Sequence, residues 1–170
     1  ETGGYGVLLS ELPNRPAVYA MYGGQGRRLY VAYVGIADVL KRRVMQHLIS
    51  RDSSVATATT AAGLNPDHVT EVRWWEHPDF SERHVLQAAE LVAFDVLDPV
   101  LRSRGAMPDR VKQLHGNKDF CEKMRSVFLG EPTGRLVIPT LQDALQRIAE
   151  LEQRLAALEE RLGKKKMIKC

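Results

Sequence analysis

Two cysteines in 170 residues, Cys121 and Cys170, supply neither the paired spacing of a zinc site nor the close-set framework of a disulfide scaffold. Long apolar runs are also lacking, and nothing approaches the roughly 18 apolar residues in a row that a spanning helix requires. Nor does a basic, apolar, small-residue leader precede the first strand signal, so the expectation is an intracellular protein with no place in the membrane. Charge of one sign is in only slight excess, 24 Lys and Arg against 21 Asp and Glu. The resulting net charge of +3 and pI near 9.0 lean toward a polyanionic partner, since basic side chains gain by releasing counterions from a phosphate backbone. The basic residues are also grouped, with Lys41, Arg42, Arg43 and Arg51 in one segment and Arg102, Arg104, Arg110, Lys112 and Lys118 in another. A hydrophobic content of 44% in 19.1 kDa is enough for one compact domain and an appendage.

Ala17 to Tyr22 and Leu29 to Val34 are β-branched and aromatic runs joined by Gly23, Gly24, Gln25 and Gly26, which predicts an antiparallel hairpin. Leu40, Val44 and Leu48 then recur at helical spacing to about Ser50, with Asp38 as the expected cap. Ser53 to Gly63, rich in Ala, Thr and Ser, reads as a flexible connection, and Val69 to Glu76 as a third strand. Ser81 is placed to cap a second helix to about Leu97, apolar on most of its circumference. A basic helix is expected within Asp109 to Phe128, and Gly130, Pro132, Thr133, Gly134 and Pro139 mark a linker. The expected fold is an α/β protein of the α+β kind. It has a small central three-stranded antiparallel sheet flanked by helices over 1–130, a linker over 131–139, a coiled-coil helix over 140–163 and a basic tail over 164–170. The coiled coil rests on Leu141, Ile148, Leu151, Leu155, Leu158 and Leu162, which step by threes and fours. Thr140 and Asp143 stand in a capping-box-like arrangement, and Gly163 with Lys164 to Lys166 is expected to end the helix in keeping with its dipole. Homo-oligomerisation through 140–163 is the natural use of such a stripe, and folding back on its own domain is the other.

Glu90 is the only carboxylate within the apolar stretch from Val85 to Phe94, and a carboxylate there is tolerated when it is ion-paired or holds a metal. Arg43 and His47 stand four residues apart on one helix face. Together they offer a planar cationic fork and a group that exchanges protons near neutrality, as a phosphate site requires, although a surface Arg and a core His would share that spacing. Tyr19, Tyr22, Tyr30 and Tyr33 crowd the hairpin. Core packing is their ordinary use; a neighbouring guanidinium would stabilise a phenolate and lower its pKa. Trp74 and Trp75 are either core or a base-stacking surface.

Taken together, Pro16 to Tyr22, Tyr33-Val34-Gly35, then Leu40, Arg43 and His47, resemble the two motif strands and following helix of the GIY-YIG nucleases. The likeness runs nearest to the nuclease module of the bacterial excision-repair incision subunit. Ala17-Val18-Tyr19 stands for GIY and Tyr33-Val34-Gly35 for YIG; Arg43 falls at the family's arginine, and Glu90 with Asp98-Pro99 matches the family's metal-binding glutamate and trailing proline. The resemblance covers about Pro16 to Arg102. It departs from the family in a longer hairpin, which makes Tyr30 a rival to Tyr33, in Ala17 for the first glycine, and in Arg102 at the family's asparagine.

The resemblance implies an endonuclease acting on nucleic acid, DNA above all, with Tyr19, Tyr33, Arg43, His47 and Glu90 as catalytic residues and Lys41, Arg42, Arg102 and Arg104 as further nucleic-acid contacts. A single candidate carboxylate implies one ion, Mg2+ or Mn2+, on Glu90 rather than a two-metal clamp. Arg43 would clamp the phosphate, and either Tyr19 or Tyr33, assisted by His47, would activate the attacking water. Two other classes stay open: a DNA-binding module of this fold that cuts weakly or not at all, which Arg102 would permit, and an adaptor working through its coiled coil.

Overall fold

The structure is a computed structural model and describes residues 12–24, 26–50, 65–101, 107–139 and 141–167. Ser53 to Gly63, Thr140, Cys170 and most of the basic tail beyond the helix lie outside the described residues.

Strand alternation in the tyrosine-rich segment produces the hairpin. β1 (Ala17–Gly23) and β2 (Tyr30–Ala37) pair antiparallel, with Tyr19 opposite Gly35 and Met21 opposite Tyr33, and β2 continues past its expected end at Val34. The register shifts after Met21, where Ala32 is the unpaired residue. β3 (Val69–Trp75) pairs with the other edge of β1, placing Trp74 opposite Tyr19.

The sheet has four strands rather than three. Within the expected linker, β4 (Gly134–Val137) adds antiparallel to β3, giving the order β2-β1-β3-β4. Leu136 is buried by this pairing, and Gly134 lies so close to the Trp74 indole that no Cβ fits between them. The compact unit therefore runs to Ile138, and Pro139 opens a second unit.

α1 (Leu40–Met45) passes into a wider π-type turn over Gln46–Ser50 in place of the regular helix expected there. Asp38 does not cap it: Val39 takes the cap position without a side-chain bond, and Asp38 pairs with Arg83 at 2.8 Å. α2 (Arg83–Leu97) likewise starts after Glu82, because the Ser81 hydroxyl donates to the Pro78 carbonyl and closes a preceding 3-10 turn, Pro78–Ser81. The single basic helix expected over Asp109 to Phe128 is two, α3 (Asp109–His115) and α4 (Lys118–Leu129). Gly116 ends the first, and Asn117 caps the second by accepting from the Phe120 N–H at 3.1 Å.

The period-2 alternation divides the core by sheet face. Val18, Ala20, Tyr22 and Trp75 join Leu86, Phe94, Met124 and Phe128 of the helical layer, whereas Tyr19, Met21, Tyr33 and Trp74 join Leu40, Val44, Val72 and Leu136. Both tryptophans are thus core residues, on opposite faces, which removes the base-stacking reading. The second unit is α5 (Leu141–Met167), which continues through Gly163 instead of ending there. None of the helices in the described residues is long and apolar enough to cross a membrane.

Candidate active site

Two strands and one turn bring the sequence-predicted residues together. Tyr19 in β1 and Tyr33 in β2 project onto the same face of the sheet, because the register is unbroken from Tyr19 opposite Gly35 to Met21 opposite Tyr33. Tyr30, its rival, sits opposite Gly23 and is 46% exposed, outside the cluster. The wide turn after α1 carries His47 into full burial, with its Nε2 2.7 Å from the Tyr19 hydroxyl oxygen. The three rings form a triangle, with centroid separations of 6.1 Å for the tyrosine pair, 5.9 Å for Tyr19 to His47 and 5.5 Å for Tyr33 to His47.

Gly35 makes this triangle possible. A Cβ at position 35 would stand 2.8 Å from both phenol oxygens, inside van der Waals contact. Sequence reading recorded Gly35 as part of a motif but missed its packing role. A glycine in mid-strand between aromatic residues is the available signal, since it marks close approach of another group.

Arg43 is half-buried beside both phenols, which feel its charge, and donates a weak bond of 3.5 Å to Gln46 Oε1. Burial opposes its charge, but the two phenols raise its pKa, so it stays cationic. Their own titration runs against the sequence expectation. Burial drives the Tyr19 phenol well above its ordinary value, helped by Tyr33 and opposed by Arg43. Tyr33 is raised as well, first by burial and then by the Glu90 carboxylate, with Arg43 again opposing. The guanidinium does pull both values down, as expected, and loses to desolvation. Both phenols are therefore neutral at rest.

Glu90 is half-buried on α2, which packs against β2. Burial pushes its pKa from the ordinary 4.5 up to about 7, with Arg83 and Arg43 pulling in the other direction. Among the described residues no cation stands within ion-pair distance of it, so the structural ion-pair reading finds no partner there. A half-buried carboxylate held near neutrality by desolvation gains from a cation, and this donor fits a hard divalent ion. No group of three or more His, Cys, Asp or Glu that could hold a metal occurs among the described residues, so an ion on Glu90 would keep most of its water shell, as Mg2+ does.

The chain after α2 is fastened beside Tyr33. Asp98 adopts a left-handed conformation, φ 48°, and turns the chain so that the Val100 and Leu101 N–H groups donate to the Val31 and Ala32 carbonyls, each at 3.0 Å. Leu101 then bridges in parallel to Tyr33. Arg102 and Arg104, expected to contact nucleic acid, lie outside the described residues. Of the other two, Lys41 is half-buried and Arg42 exposed on α1 beside Arg43. Gln46 and Arg83 also belong to the site through Arg43 and Glu90 and were missed; neither carries a sequence signal, because their roles depend on tertiary approach. Comparison with known protein families, with curated proteins and with solved structures gave no match for this chain.

Proposed function

We propose that the chain is a divalent-metal-dependent endonuclease of the GIY-YIG type, hydrolysing DNA phosphodiester bonds with Mg2+ or Mn2+. One observation carries the reading. Tyr19, Tyr33, Arg43 and His47, taken from two strands and a helix with its following turn, meet as one cluster of packed rings and a guanidinium, joined by the Tyr19–His47 hydrogen bond and feeling the charge of Glu90. The resemblance selects these five residues from the sequence without any regard to their distances.

In this reading Arg43 receives the scissile phosphate, since its planar fork and persistent charge suit two phosphate oxygens. The Tyr19 hydroxyl is hydrogen-bonded to His47 Nε2 at 2.7 Å, with the Tyr33 ring beside both, so a proton leaving at Tyr19 can pass to the imidazole. The attacking water gives a proton to a phenol oxygen, the phenol proton ends on His47 Nε2, the new O–P bond forms, and the departing oxygen takes a proton from solvent. This requires the neutral His47 tautomer with its proton on Nδ1. Raised phenol pKa values keep both phenols neutral at rest and give a stronger base once the proton has left. A cation held by Glu90 would supply positive charge to offset the negative charge developing on the phosphate and leaving oxygen. Lys41 and Arg42 extend the positive surface along α1.

The second reading is a DNA-binding module of the same fold without cutting activity, and the neutral, deeply desolvated phenols favour it. Supercoiled plasmid incubated with the purified chain and Mg2+, beside EDTA and Glu90→Gln controls, separates the two. Cleavage lost in both controls supports the nuclease. Salt-sensitive binding with no cleavage of single-stranded or double-stranded DNA supports the module.

A further inference from the structure

α5 exposes an unbroken apolar stripe. Ile148, Leu151, Leu155, Leu158 and Leu162 follow steps of three and four, with exposures from 48% at Leu151 to 63% at Leu162. In heptad terms Ile148, Leu155 and Leu162 hold the a positions, and Leu151 and Leu158 hold d. Such a stripe calls for a helical partner without saying which.

The flanking positions say which. Arg147, Arg154 and Arg161 all fall at g, and Glu152 and Glu159 at e, so each side of the stripe carries a single sign. In a parallel, in-register pair, g of one helix faces the next e of the other. Arg147 then meets Glu152 of the second copy and Arg154 meets Glu159, each contact occurring twice by symmetry. In an antiparallel pair g faces g and e faces e, which sets arginine against arginine and glutamate against glutamate. A slip by one heptad leaves leucines uncovered. We infer that α5 pairs with a second copy of this chain as a parallel, in-register two-stranded coil, selected by the Arg147–Glu152 and Arg154–Glu159 cross-pairs. Leucine at d suits two strands. In the single helix Arg147 pairs with Glu150 at 3.0 Å, an exposed contact that yields to the cross-helix one. Beyond Leu162 the sequence turns basic from Lys164 to Lys166, so the alternation of signs ends there.

The pairing does not rest on the nuclease reading, but it has a consequence for it. Pairing puts two copies of the site in one particle, as cutting both strands of one duplex requires.

The test is light scattering on the full-length chain. The expected mass is twice 19.1 kDa. Arg147→Glu with Arg154→Glu turns every cross-pair repulsive and is expected to weaken the dimer about a hundredfold. Adding Glu152→Arg and Glu159→Arg restores opposite signs and is expected to restore the dimer, which a loss of helix alone would not. Orientation is read from Ile148→Cys in a Cys121→Ser, Cys170→Ser chain, where oxidation is expected to link the two copies; antiparallel helices would hold these positions beyond disulfide reach. A monomeric wild type, an undiminished dimer after the double reversal, or a dimer that fails to cross-link would each overturn the inference.

Discussion

Replacing Glu90 by Gln removes an ionisable group that burial displaces toward neutral pH, and its effect on stability follows from that displacement. A carboxyl whose folded-state pKa is raised binds more protons in the folded state than in the unfolded one between 4.5 and about 7, so the wild type loses stability as pH rises through that window. The loss is complete above about 7 and absent below 4.5. Moving from 4.5 to about 7 corresponds to roughly 3 kcal/mol. Glutamine has nearly the same shape and no charge, so in EDTA the variant is expected to match the wild type near pH 4.5 and to exceed it at pH 8 by roughly 2 to 3 kcal/mol, or about 10 °C in melting temperature. Mg2+ at pH 8 should narrow that gap by stabilising the wild type alone. Thermal melts at the two pH values, with and without metal, make the measurement. A variant no more stable than the wild type at pH 8 would refute the argument, because Glu90 would then be a compensated carboxylate and not one whose burial carries a stability cost.

Other outcomes follow from the same geometry. Tyr19→Phe and His47→Ala are each expected to lower kcat/KM for DNA cleavage about 10²-fold or more, with the double variant no worse than the poorer single, since both cut one proton path. Arg43→Lys keeps the charge but loses the fork, and is expected to cost about tenfold to a hundredfold in cleavage rate while salt-sensitive DNA binding persists. Gly35→Ala drives a methyl into both phenol oxygens and is expected to destabilise the fold by about 1 to 3 kcal/mol in urea melts and to abolish cleavage. A chain ending at Ile138 is expected to melt like the intact protein, whereas one ending at Gly130 loses β4 and should melt well below it.

The parts of the fold that were legible in the sequence are those whose hydrophobic pattern is set by one neighbour. The hairpin alternates, α2 is apolar nearly all round, and α5 repeats by threes and fours, so each announces its own geometry. β4 did not, because four residues between glycine and prolines carry too little pattern and its place depends on β3, far off in sequence. The caps failed for a similar reason: Asp38 and Ser81 were judged against their own helices, while an arginine from α2 and the Pro78 carbonyl offered them other partners. At the site, the spacing from Arg43 to His47 and the motif tyrosines chose residues that do meet. The direction of the phenol titration was not readable, because it turns on how completely Tyr19 is buried, which no local pattern reports.

The late position of β4 also bears on how the chain is made. During synthesis β1, β2 and β3 emerge together, but the strand that covers the outer edge of β3 follows only after α2, α3 and α4. Until Gly134 to Val137 leave the ribosome, the backbone N–H and C=O groups from Glu71 to Trp74 on that edge have no ladder partner. An open strand edge is a template for other chains. Nascent or prematurely ended products are therefore the form in which this protein is most exposed to aggregation, and four residues near the end of the unit remove that exposure.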